Sequence, residues 1–173
     1  MKQFILIGFL MTFNFSLLFS QSNEKCNASV FINPDFTGEL ILYDNLDGKV
    51  LKTLKHNFEE EDYIGLEILN KNDSMFYVNA SYEIGGFIGK GWIKKNKNIG
   101  IYSRAYDQPL NLYSQANKKS EIIAVLKEYN PDMYIVIDCI GKWLKVKTII
   151  KGKLFSGWMA PDMQCCNVYS TCS

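Results

Sequence analysis

An all-β chain in which one small module occurs twice is the fold class predicted by three features of the sequence. Short runs rich in β-formers alternate apolar and polar residues, turn signals separate them at close intervals, and blocks of the first half reappear in order about 70 residues later. No stretch after the first 20 residues has the length and periodicity of an amphipathic helix.

Residues 1–20 read as a cleavable secretory signal. Lys2 precedes an apolar run from Phe4 to Phe19, and Ser20-Gln21-Ser22 follows before the first acidic residue, Glu24. The run is 16 residues long and contains Asn14, which is short of the roughly 20 apolar residues a membrane span needs. The expected cut is after Ser20, and the only expected membrane contact is through this segment. The destination is then the periplasm or the exterior.

The first repeat, residues 28–97, opens with Val30-Phe31-Ile32 and continues through Leu40-Ile41-Leu42-Tyr43, Lys49-Val50-Leu51, Met75-Phe76-Tyr77-Val78 and Gly91-Trp92-Ile93. The second, residues 98–163, answers with Gly100-Ile101-Tyr102, Leu110-Asn111-Leu112-Tyr113, Glu121-Ile122-Ile123, Trp143-Leu144-Lys145-Val146 and Gly157-Trp158-Met159. The offset drifts by a few residues between blocks, as changes in loop length between shared strands would produce. Turns are expected at Asn45–Gly48, Asn70–Asp73, Gly85-Gly86, Asn130–Asp132, Ile140-Gly141 and Lys151-Gly152. The link Lys94–Asn98 is too short to let the halves drift apart. A Cys-rich tail, residues 164–173, completes the chain.

Beyond residue 20 the chain carries 18 basic and 18 acidic side chains, so its net charge is near zero with His56 neutral. That balance, and the lack of a dense basic stripe, argue against nucleic acid as a partner. The halves differ in sign: residues 21–96 carry 8 basic and 12 acidic groups, and residues 97–173 carry 10 and 6. The basic half is thus the expected place for an anionic ligand.

Cys26, Cys139, Cys165, Cys166 and Cys172 all follow the signal, and an oxidising compartment would let them form disulfides. With one histidine and no Cys-x-x-Cys pair, a metal site is not expected, nor is any cofactor. Cys172 is within reach of Cys165 or Cys166, closing a small ring in the tail. Cys139 is expected to capture the tail cysteine that remains, leaving Cys26 free or bonded to another chain. The acidic run Glu59-Glu60-Glu61-Asp62 lacks the spacing of a calcium loop and reads as a solvated loop. His56, between charged neighbours, reads as a surface residue. It is the one imidazole a nucleophilic pair could use, so no enzyme is expected.

The ordered blocks, above all Asp138-Cys139-Ile140-Gly141-Lys142-Trp143-Leu144-Lys145-Val146 and Gly157-Trp158-Met159, resemble bacterial SH3-like (SH3b) domains. The first copy departs from that pattern in having Met75 where Trp is usual. The chain as a whole is similar to the tandem SH3-domain proteins exported by Bacteroidetes-type bacteria, including their tails with Gln164-Cys165-Cys166-Asn167-Val168-Tyr169-Ser170-Thr171-Cys172. The resemblance implies two tandem SH3-like small β-barrels after a signal peptide, and a non-catalytic role in attachment to a cell-envelope component, peptidoglycan or a peptide segment. On such a barrel a ligand groove needs exposed aromatics. Tyr102, Tyr106, Tyr113 and Trp158 are the candidates, with Arg104 and Lys153 placed to meet a carboxylate. Trp143 and Val146 read as core positions. The alternative function is a protein-partner role, such as an inhibitor or immunity-type protein of a secreted enzyme, in which loops make the contact.

Overall fold

The structure, a computed structural model, describes residues 25–172; the expected signal segment lies outside the described residues. It is all-β. The first half contributes β1 (Ala28–Ile32), β2 (Leu40–Tyr43), β3 (Val50–Leu54), β4 (Ile64–Lys71), β5 (Met75–Tyr82) and β6 (Gly86–Lys94). The second contributes β7 (Ile99–Ser103), β8 (Leu110–Tyr113), β9 (Ile122–Leu126), β10 (Tyr134–Ile140), β11 (Trp143–Ile150) and β12 (Lys153–Met159). A 3-10 turn, Pro161–Met163, leads into the short β13 (Gln164–Cys165).

Alternation makes these segments strands, because each side chain set on one face must find apolar company. In β11, Leu144, Val146 and Thr148 are buried while Lys145 and Lys147 point away from that core; in β5, Phe76, Val78 and Ala80 are buried and Tyr77 and Asn79 are not. Trp143, read from sequence as core, is only half-buried and lies on the opposite face from Leu144.

The strands form one antiparallel sheet in the order β3-β2-β6-β5-β4-β1-β7-β10-β11-β12-β8-β9, with β13 added to β7. Read outward from the middle, each half has the same order: β1-β4-β5-β6-β2-β3, and β7-β10-β11-β12-β8-β9. Irregularities recur at matched places as well. The ladder slips between Leu42 and Tyr43 and between Leu112 and Tyr113, and again between Ile68 and Asn70 and between Val136 and Asp138. The halves meet where β1 pairs with β7, Phe31 opposite Gly100 and Ile32 opposite Ile99. The path ends in β3 and β9, so the sheet is open.

One buried cluster runs through both halves, from Phe31, Leu42 and Phe76 to Leu112, Tyr134 and Val146. Removing each such large side chain from water is worth about 1.5–3 kcal/mol, and the continuity of the cluster lets that burial help join the halves. Polar ties cross the same seam. Lys71 and Lys95 of the first half both reach Asp138 of β10, Lys71 by a direct hydrogen bond and Lys95 at 3.9 Å. A disulfide links Cys26, just before β1, to Cys139 in β10. Cys139 therefore does not hold the tail, and Cys26 is not the cysteine left over. The thiol without a partner is Cys166.

Candidate functional site

The loop between β3 and β4 organises an aromatic surface around the chain's one histidine. His56 is buried, and the backbone N–H of Ile64 donates to its Nδ1 at 3.1 Å. With Nδ1 an acceptor, Nε2 carries the proton and donates to the carbonyl of Asn33 at 3.0 Å, which fixes a neutral tautomer. Burial lowers its pKa below the ordinary 6.5, in keeping with that state. The residue is thus an internal strut rather than a surface group. Phe58 and Tyr63 set their edges against it, with ring centroids 5.6 and 5.3 Å away.

Around these rings the acidic run divides in two. Glu59, Glu60 and Glu61 face solvent, whereas Asp62 is buried and accepts hydrogen bonds from the N–H groups of Ile84 and Gly85 at 2.9 and 2.8 Å. That carboxylate clamps the β5–β6 turn to the loop. Glu83 stands near it, and burial together with the Asp62 charge raises the pKa of its carboxyl.

The third ring comes from the tail. After β13 pairs with β7, Cys165 bonds to Cys172 and closes a ring of residues. Asn167 Oδ1 accepts from the N–H groups of Tyr169 and Ser170, folding the ring into a tight turn. Tyr169 thereby lies against Tyr63 at 5.6 Å, and its hydroxyl donates to the Glu61 carbonyl at 2.8 Å. Phe58 and Tyr169 remain 41% and 51% exposed, with the half-buried Tyr63 between them. The adjacent Cys166 thiol is pushed up to about 12, chiefly by burial, so it holds its proton at neutral pH and is a poor nucleophile toward the neighbouring disulfide.

The residues singled out from sequence do not converge on one open surface. Tyr113 and Trp158 are buried with Ala160 in a small second core, where Trp143 meets Tyr113 edge-on at 5.6 Å. Tyr102 packs against Phe31, the ring centroids 4.6 Å apart and the planes tilted by 42°. Arg104 is paired with Asp107 at 2.8 Å. Tyr106, 76% exposed, is the open one, on a loop whose Ala105 N–H donates to Thr171 of the tail. Lys153 lies elsewhere, in an open groove of about 430 Å³ lined also by Ile122, Ile123, Val125, Leu154 and Phe155. The Phe58–Tyr63–Tyr169 surface escaped the sequence reading because its members are far apart in the chain. Only the positions of Phe58 and Tyr63, flanking the acidic run, were visible as a local signal.

Compared with protein-family models, curated proteins and solved structures, the chain finds no match.

Proposed function

We propose that the protein is a non-catalytic envelope-binding protein whose Phe58–Tyr63–Tyr169 surface takes a peptidoglycan fragment. In this reading sugar faces stack on the rings, and the amines of the stem peptide sit against Glu59, Glu60 and Glu61. The observation that carries the proposal is the joining of three aromatic rings from two distant segments, half-open to solvent, beside an exposed acidic edge. Aromatic rings supply broad apolar area at low entropic cost, and carboxylates supply charge-assisted acceptors. The ionisable groups nearest the surface have structural work: both ring nitrogens of His56 are engaged and Asp62 is held by two backbone donors.

The tandem SH3-like barrel architecture belongs to the same proposal. Its support is the matched six-strand order and matched ladder irregularities of the halves. Export to the periplasm or exterior belongs to it too. Two disulfides point to an oxidising location, and among the described residues no helix is long and apolar enough to cross a membrane.

Retention on purified sacculi tests the binding. The wild-type protein is expected to be retained at low salt and released as salt screens the acidic edge. Phe58→Ala and Tyr169→Ala should each weaken retention about tenfold, which corresponds to about 1.4 kcal/mol of lost contact. No retention of the wild type, or retention indifferent to both substitutions, would remove this reading.

A further inference from the structure

The two ends of the open sheet differ in a way that selects a partner. β3 and β9 occupy equivalent places, each paired, among the described residues, on one side only. Such an edge, when apolar, invites another strand. Both edges are apolar: Val50 and Leu51 on β3, and Ile122, Ile123 and Val125 on β9, are between 46% and 59% exposed.

Charge separates them. The β3 stretch reads Lys49-Val50-Leu51-Lys52-Thr53-Leu54-Lys55, and the matching β9 stretch reads Glu121-Ile122-Ile123-Ala124-Val125-Leu126-Lys127. If β3 paired antiparallel with its own copy about Lys52, Lys52 would face Lys52 and each Lys49 would face a Lys55. Like charges directly opposite on a sheet are unfavourable, so this edge is protected against self-pairing. If β9 paired with its own copy about Ala124, the two alanines would meet at the two-fold axis, Ile123 would face Val125, and each Glu121 would face a Lys127. Every cross-strand pair is then apolar or of opposite charge. Pairing β3 with β9 would set Lys49 against Lys127 and Lys52 against Ala124, with one opposite-charge pair, Lys55 against Glu121, where β9 self-pairing has two and no like-charge pair.

We propose that β9 is a homodimerisation edge, where a second copy of this chain adds antiparallel about Ala124 and continues the sheet from one molecule to the next. The contact is isologous, as in most closed dimers. It covers Ile122, Ile123 and Val125 and the mouth of the groove they share with Leu154 and Phe155. It lies on residues separate from the Phe58–Tyr63–Tyr169 surface, so it does not depend on the ligand reading.

The test is sedimentation equilibrium on purified, oxidised protein, from micromolar to millimolar, with circular dichroism to show that each variant is folded. Wild type should show a concentration-dependent monomer–dimer equilibrium. Glu121→Lys makes both end pairs Lys–Lys, and Lys127→Glu makes both Glu–Glu. Both side chains are exposed, so the fold should survive, and each variant should dimerise at least about tenfold more weakly. Mixing the two variants restores opposite charge at both ends, and the mixture should form a heterodimer at least as tight as wild type. A wild type that stays monomeric to millimolar concentration would overturn the proposal. So would single variants that dimerise like wild type, or a mixture that stays monomeric. Stronger association by Lys127→Glu alone would overturn it in favour of β3–β9 pairing, where that change turns a Lys–Lys clash into an ion pair.

Discussion

His56 is held from both sides by backbone groups, and the contact at Nδ1 needs the neutral ring, whereas the Nε2–H bond to the Asn33 carbonyl opposes the fall in pKa without outweighing burial. Protonation would turn the Nδ1 acceptor into a donor facing the Ile64 N–H, and burial opposes the charge as well. The unfolded chain titrates near the ordinary 6.5, and the folded chain lower. Between those values the unfolded state binds more protons, so stability is complete above about 6.5 and is lost as pH falls through the window toward the folded pKa. The expected slope reaches at most about 1.4 kcal/mol per pH unit, one proton's worth. His56 is the chain's only histidine, and Glu83, whose raised pKa acts in the opposite sense, is common to wild type and variant, so the difference between the two profiles reports His56. Urea unfolding from pH 8 to pH 5 should show the fall in wild type. His56→Gln should be less stable at pH 8 by about 1–3 kcal/mol and lack that segment of pH dependence. An unchanged profile in the variant would place the proton elsewhere. Little of this role was legible in the sequence, because Lys55 and Asn57 are the flanks of a surface residue; the carbonyl that His56 reaches belongs to Asn33, 23 positions away.

Most strands were legible, and the Gly-Trp closing motif was legible as a pattern without its reason. The reason is the close approach of β6 to its neighbour β2 and of β12 to its neighbour β8. A Cβ on Gly91 would lie 2.4 Å from the carbonyl oxygen of Tyr43 and 3.0 Å from Leu42 Cγ. On Gly157 it would meet Leu112 Cβ at 2.9 Å, Ile123 Cδ1 at 3.1 Å and the Tyr113 oxygen at 3.2 Å. The next residue in each strand, Trp92 or Trp158, then pairs across to Tyr43 or Tyr113. Overpacking of this kind costs about 1–3 kcal/mol. Gly91→Ala, whose nearest obstacle is backbone, should fall at the upper end and Gly157→Ala lower. Thermal melts of the two variants should therefore both be lowered and be ranked in that order; equal or reversed losses would show that β2 yields more easily than β8. The exposed β9 edge was not legible in the same way, since Ile122-Ile123-Ala124-Val125-Leu126 is as apolar as a central strand and only the topology leaves it outermost.

The duplication could be read from sequence, while the way the copies join could not, because strand pairing across a seam leaves no local pattern. Phe31 packs under Tyr102, β1 lies beside β7, and the apolar cluster is continuous, so a half chain would open that seam to water. Cysteine pairing was hidden for a related reason: five thiols allow many connectivities, and distance in the fold chooses among them. The result is two bonds of very different reach, Cys26–Cys139 with a sequence separation of 113 and Cys165–Cys172 with one of 7. In the chain-entropy model the long loop restricts the unfolded state by about 5 kcal/mol and the short one by about 2.5 kcal/mol. The long bond also spans the seam, tying the segment before β1 to β10, whereas the short one secures a tail that is already paired with β7. Cys26→Ser/Cys139→Ser should therefore lower the melting temperature of the oxidised protein more than Cys165→Ser/Cys172→Ser does. The second variant should release Tyr169 from Tyr63 with a smaller loss of global stability, measurable as faster amide exchange in the tail alone. If removing the tail bond proved the costlier of the two, the tail and not the seam would be the element on which the joining of the halves depends.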